Sequence, residues 1–307
     1  MTGEIEVAGV AVALVGTAVA TYYDLTHNRN VPDWLSFGML GLGVLAVAAG
    51  LAATGFTDWQ EVAGAIVMPA AVVLGPGYLL YRAGQIGGAD VVIFAAIALL
   101  MPAAPGGILE GAGAAGVQAA QIVQIPFVFV LFLVSGILFG IATFARYLVP
   151  CMRAAAEGKV KLGREQKLYL ALLAVTGAVF VRFAGAEELP APVVLVFLIA
   201  IMFSAFFYIF KAYIAQRFLI RIVGVKEIDE EDVLAVEEME PGIVAKYGLK
   251  RLLTRSEIAR LAKIPIKKFP VYKNMPAFLP YVLAALALSI LFGDFLARAL
   301  LGAAPVA

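Results

Sequence analysis

The chain has one cysteine, Cys151, and one histidine, His27, in 307 residues. A lone cysteine excludes an internal disulfide and any zinc module built on cysteines, and a single histidine beside it leaves no His/Cys metal site. Charge is scarce as well: Asp, Glu, Lys and Arg make up 15% of the residues against 63% hydrophobic, with a mean hydropathy of +0.95. That balance excludes an ordinary soluble domain and marks a polytopic membrane protein. The first apolar run has no basic leading segment and no cleavage site, so it reads as a retained helix rather than a signal peptide.

Eight apolar stretches are long enough to span a bilayer, at 7–23, 33–53, 61–82, 89–104, 125–149, 167–184, 190–215 and 276–302. The expected fold is therefore an all-α multi-pass protein of about eight transmembrane helices, with six to eight as the range, in the cell membrane. Basic residues set the orientation. With the N-terminus outside, 21 of the 23 Lys and Arg fall on the cytosolic side, leaving only Arg182 and Arg298 outside. The expected organisation is a four-helix unit at 1–104, further membrane helices at 105–215, a small cytosolic domain at 216–275 and a C-terminal membrane helix at 276–307. Residues Pro102–Ala120 read as a Gly/Ala-rich outer loop.

Two aspartates stand at the edges of the shortest spans. Asp24 closes the run Val7–Tyr23, 17 residues, which as a helix is about 25 Å against about 30 Å of hydrocarbon. Asp90 opens an equally short span and is pulled inward in the same way. Ionisable groups at such depth are functional candidates. Asp90, at a helix start, also fits an N-cap. Asp24 does not, because it sits at a helix C-terminus, where the macrodipole disfavours a carboxylate. Two carboxyls from separate helices can share a proton, one acting on water as base while the other donates to a scissile carbonyl. The helix dipoles assign the base to Asp90 and the acid to Asp24. Gly84, Gly87, Gly88 and Ala89 leave the backbone ahead of Asp90 uncovered, which suits close approach of an extended peptide or, alternatively, a plain turn. Pro32, Asp33 and Trp34 read as a helix start with an interfacial anchor, Asp33 being either a cap or a contact for a basic substrate residue.

The polar insert is split by charge. Eight acids lie between Glu227 and Glu240, and nine bases with one acid, Glu257, between Pro241 and Lys273. Thr254 to Glu257 fits a capping box opening a short amphipathic helix. Ordinary solvated surface charge explains the insert, as does an acidic stretch steering a basic peptide while the basic stretch lies on anionic lipid.

Tyr23-Asp24-Leu25, then Arg29, then Val31-Pro32-Asp33-Trp34-Leu35, followed by Gly87-Gly88-Ala89-Asp90, resembles the type IV prepilin peptidase family. The likeness is greatest to the archaeal preflagellin (archaellin) and prepilin peptidases, which are GxGD membrane aspartyl proteases. The C-terminal stretch from Pro241 through Glu257 and Pro276–Pro280 to Asp294 also resembles the archaeal enzymes. The resemblance implies cleavage of class III signal peptides of pilin or archaellin precursors at the cytosolic membrane face. It implies catalytic roles for Asp24 and Asp90, with Gly87, Gly88, Ala89 and Asp33 at the substrate, and neither metal nor other cofactor. It also implies six membrane helices. Ala89 departs from the second glycine of the motif, and Val92 stands where bacterial relatives often carry Lys. The expected partners are precursor signal peptides and membrane lipids, with no nucleic acid and an open oligomeric state. A presenilin-like protease is the alternative enzyme, suggested by Pro276-Ala277-Phe278-Leu279-Pro280; a proton- or cation-coupled transporter is the alternative outside enzymes.

Overall fold

A computed structural model describes residues 3–27, 30–57, 59–84, 86–103, 126–160, 162–186 and 191–293. Asn28, Arg29, Asp294, Arg298 and nearly all of the Gly/Ala-rich loop lie outside the described residues.

The chain is an all-α polytopic membrane protein. Its helices are α1 (Gly3–Thr26), α2 (Asp33–Ala53), α3 (Trp59–Val62), α4 (Met68–Arg82), α5 (Gly88–Leu100), α6 (Phe127–Ala156), α7 (Arg164–Ala186), α8 (Ala191–Ile214), α9 (Pro241–Tyr247), α10 (Arg255–Leu261) and α11 (Leu279–Phe292). A π-helical turn, Ala63–Val67, joins α3 to α4 without a break. Six described segments are long and apolar enough to cross a membrane: Ile5–Thr26, Asp33–Ala53, Ala63–Arg82, Phe127–Ala156, Arg164–Ala186 and Val194–Leu219. Two shorter apolar helices, α5 and α11, add to them. Six and eight thus both describe the chain, depending on whether these two are counted.

The packing centres on α5. Val91 and every residue from Ile93 to Leu100 are buried, because α1, α2, α4 and α6 surround the helix. Small residues let the neighbours come close. A Cβ on Gly9 of α1 would run into the carbonyl oxygen of Leu100, and one on Gly43 of α2 would lie 2.9 Å from Leu99 Cβ. Helix α11 returns from the far end of the chain to pack between α1 and α6. By contrast α7 and α8 pair with one another and, among the described residues, reach the bundle mainly through the α6–α8 contact. Helix α6 continues through Pro150. Cys151 is fully buried with Tyr147, Phe206, Phe210 and Ile214, since the aromatic face of α8 closes over it.

The polar insert has its own small core of Val223, Ile228, Leu234, Leu253, Leu261, Phe269 and Val271. Strand β1 (Ile220–Gly224) pairs antiparallel with β2 (Lys268–Tyr272), bringing the ends of the insert together. Its two charge runs meet through four of the eight acids: Arg255 pairs with Glu230 at 2.5 Å, Arg251 with Glu237 at 3.5 Å, and Lys273 with Asp229 and Asp232 at 2.7 and 2.6 Å. Thr254 caps α10 by accepting from the Glu257 amide at 3.4 Å. The Glu257 carboxylate does not complete the capping box; it turns to Arg260 at 2.8 Å and Lys250 at 3.0 Å. Burial opposes its ionisation, but the hydrogen bond and charge of Lys250 together with the charge of Arg260 outweigh that and hold the carboxyl below its ordinary range.

A folded-state value below the unfolded one makes this contribution present above the unfolded value, about 4.3, and lost as pH falls through the lower folded value. The thermal stability of the full chain in detergent should therefore fall as pH drops below about 4.3, and Glu257→Gln should flatten that part of the profile. Packing around α5 gives a second test. Gly9→Ala should destabilise the detergent-solubilised protein by about 1–3 kcal/mol through overpacking. Gly38→Ala, where an added Cβ meets nothing within 4 Å, should be neutral or stabilising by up to about 1 kcal/mol.

Candidate active site

Asp24 lies in the last turn of α1 and is 8% exposed. Its Oδ2 accepts a hydrogen bond from the backbone N–H of Leu279 at 3.2 Å. Leu279 is the first residue of α11, so a carboxylate from α1 satisfies one of the amides that a helix start leaves without an intrahelical partner. The unfavourable position read from sequence, a carboxylate at a helix C-terminus, is offset here by the positive end of a second helix.

Asp90 is the third residue of α5, whose N-cap is Gly87. The Gly87 amide hydrogen-bonds the Asp90 carboxylate, an N3 side chain reaching back to the N-cap. The two carboxylates lie within electrostatic reach of one another. The structure thus brings together, from two helices that pack directly, the pair that the sequence singled out.

The small residues ahead of Asp90 each have a local reason. A Cβ on Gly87 would sit 2.9 Å from Asp90 Oδ2 and displace it. One on Gly88 would sit 3.1 Å from the Tyr81 ring. Ala89 packs against the helical core. Gly84 takes φ +66°, closing α4 in a turn that favours glycine. Asp33 is not joined to the pair. It is exposed in the first turn of α2, where Pro32 is the N-cap and no side chain caps the helix. Two participants were not assigned to the site from sequence: Leu279, whose contribution is a backbone amide, and Tyr81. The one available signal for Leu279 was Pro280, a residue suited to the first turn of a helix. Among the described residues no three His, Cys, Asp or Glu side chains are gathered as a metal would require.

Residues 11–145 match the model of the type IV leader peptidase family. Both aspartates fall inside that match. Over that segment, less than half of the chain, the protein is similar to the type IV leader peptidase family. Comparisons with curated proteins and with solved structures gave no match. A leader peptidase of this family is a protease, and the matched segment contains α1, α2, α4 and α5, which meet around the carboxylate pair.

The glycine geometry yields a test. Gly87→Ala should reduce cleavage of a leader-bearing precursor by at least about tenfold through the displaced Asp90 carboxylate, since small misplacements of reacting groups cost that much. Membrane insertion and accumulation, followed by immunoblot, should stay at wild-type level.

Proposed function

We propose that this protein is a leader peptidase of the aspartic type, an endopeptidase that removes class III signal peptides from pilin-like or archaellin precursors at the cytosolic membrane face. The observation that supports this most is the pairing of Asp24 and Asp90 across α1 and α5, at the ends of their helices. In the proposed reaction one ionised carboxylate takes a proton from water as its oxygen attacks the scissile carbonyl carbon. The partner carboxyl protonates the carbonyl oxygen, giving a tetrahedral diol. Collapse breaks the C–N bond, with a proton passing to the leaving amine. With both carboxyls at helix ends, water would reach the pair from one edge of the bundle, which suits a cut beside the hydrophobic helix of a precursor rather than within it.

The basic residue expected before such a cut would meet Asp33 at the rim. Steering of a basic precursor segment by the acidic run of the insert would draw on the acids outside the four that pair with bases of the same insert. A transporter reading fares poorly on burial. Asp24 is the one charged residue of the described membrane helices that is buried, and it lies at a helix end rather than along a path through the bundle.

Co-expression with candidate precursors, with the mature N-terminus read by mass spectrometry, tests the assignment. Asp24→Asn and Asp90→Asn should each abolish processing while the protein still inserts. Substantial processing by either variant would remove the carboxylate mechanism.

A further inference from the structure

We propose that the polar insert positions the Asp90 helix, acting through Glu231 and Tyr81. Tyr81 lies in the last turns of α4, and its hydroxyl donates to Glu231 Oε1 at 2.7 Å, a contact between residues 150 positions apart in the chain. The Tyr81 ring lies against Gly88, the first residue of α5, so closely that an added Cβ there would come within 3.1 Å of it. Asp90 follows two residues later. On its other side Glu231 is held firmly by the insert. Its N–H donates to the Leu253 carbonyl at 2.9 Å, and the Leu253 N–H donates to the Asp232 carbonyl at 2.9 Å. The adjoining Leu234 and Leu253 are buried in the core of the insert.

Two further features mark this as a built junction. Glu231 adopts φ +70°, in the left-handed region that residues other than glycine rarely occupy and that the surrounding contacts must hold. Gly84, in the turn between α4 and α5, is approached by Val233 and Arg251 of the insert, which would lie 3.4 and 3.5 Å from a Cβ there. The insert therefore meets both the turn leading into α5 and the aromatic ring against its first residue. Tyr81 and Glu231 are positioning residues. They touch no reacting atom, and they fix where the start of α5, and with it the Asp90 carboxylate, stands.

The inference rests on the proposed peptidase activity for its kinetic readout and is independent of it for its structural one. In the full-length protein in detergent, Tyr81→Phe, which keeps the ring, and Glu231→Ala should each lower kcat by about 3- to 10-fold with KM little changed, as expected for loss of one hydrogen bond to a charged acceptor at a partly exposed site. The double variant should be no worse than either single one, because both remove the same contact. Glu231→Gln, which retains an acceptor, should recover part of the loss. Hydrogen exchange of the amides from Val91 to Ala95 should quicken in Tyr81→Phe and Glu231→Ala alike, whether or not a precursor is being cleaved. Unchanged exchange in both variants, or losses that multiply in the double variant, would overturn the proposal. A wild-type protein that cleaves no precursor would remove the functional reading while leaving the exchange result to decide this one.

Discussion

Because α5 runs only 13 residues, about 20 Å of helix against about 30 Å of hydrocarbon, it cannot reach both membrane surfaces, and protein must cover its sides. The bundle meets that demand. Helices α1, α2, α4 and α6 enclose α5, and glycines at positions 9 and 43 let their backbones come close enough to do so. The same shortness fixes the depth of Asp90. A carboxylate in the first turn of such a helix is drawn below the surface together with the backbone that carries it. Helix α1 is not short in the same way: the apolar run ends at Tyr23, but the helix is 24 residues, about 36 Å, and carries Asp24 in its last turn, where α1 packs against α5.

A buried carboxylate needs donors, and the donor to Asp24 comes from outside the family-matched segment. That match ends at residue 145, whereas Leu279 begins the last described helix. Residues 11–145 carry both carboxyls, yet the described surroundings of one of them are completed only when α11 packs back against α1 and α6. The insert closes a second circuit of this kind by reaching Tyr81. One of these contacts ends on Asp24 itself and the other on Tyr81, whose ring lies against the first residue of the Asp90 helix, so the C-terminal third of the chain belongs to the architecture of the candidate site.

The sequence made the membrane class legible through hydropathy alone, and it made the carboxylate pair legible through a mismatch: a charge where the span was too short and, for Asp24, where the helix dipole was wrong. The cap at Thr254 was legible because capping is local chemistry within four residues. What stayed hidden was non-local or carried by the backbone. An amide such as that of Leu279 has no letter of its own, since every residue but proline has one. The pairing of the two charge runs depends on β1 and β2 coming together across more than forty residues, and only then do Arg255 and Lys273 meet Glu230, Asp229 and Asp232. The fifth apolar stretch was bounded at 149, just ahead of Pro150. Within a bilayer a helix is far costlier to break than in water, and α6 runs on through the proline.

The environment of the pair also changes how its chemistry is to be described. Judged by its own helix, Asp24 faces a negative dipole end and Asp90 a positive one, which divides the roles into acid and base. With α11 in place, Asp24 accepts from a helix N-terminus just as Asp90 accepts from the N-cap amide of α5. The asymmetry expected from α1 alone is offset, and each carboxylate meets the positive end of a helix. In the proposed reaction the place of the shared proton at the moment of attack is then set by the substrate carbonyl and the attacking water rather than by a fixed division between the two residues.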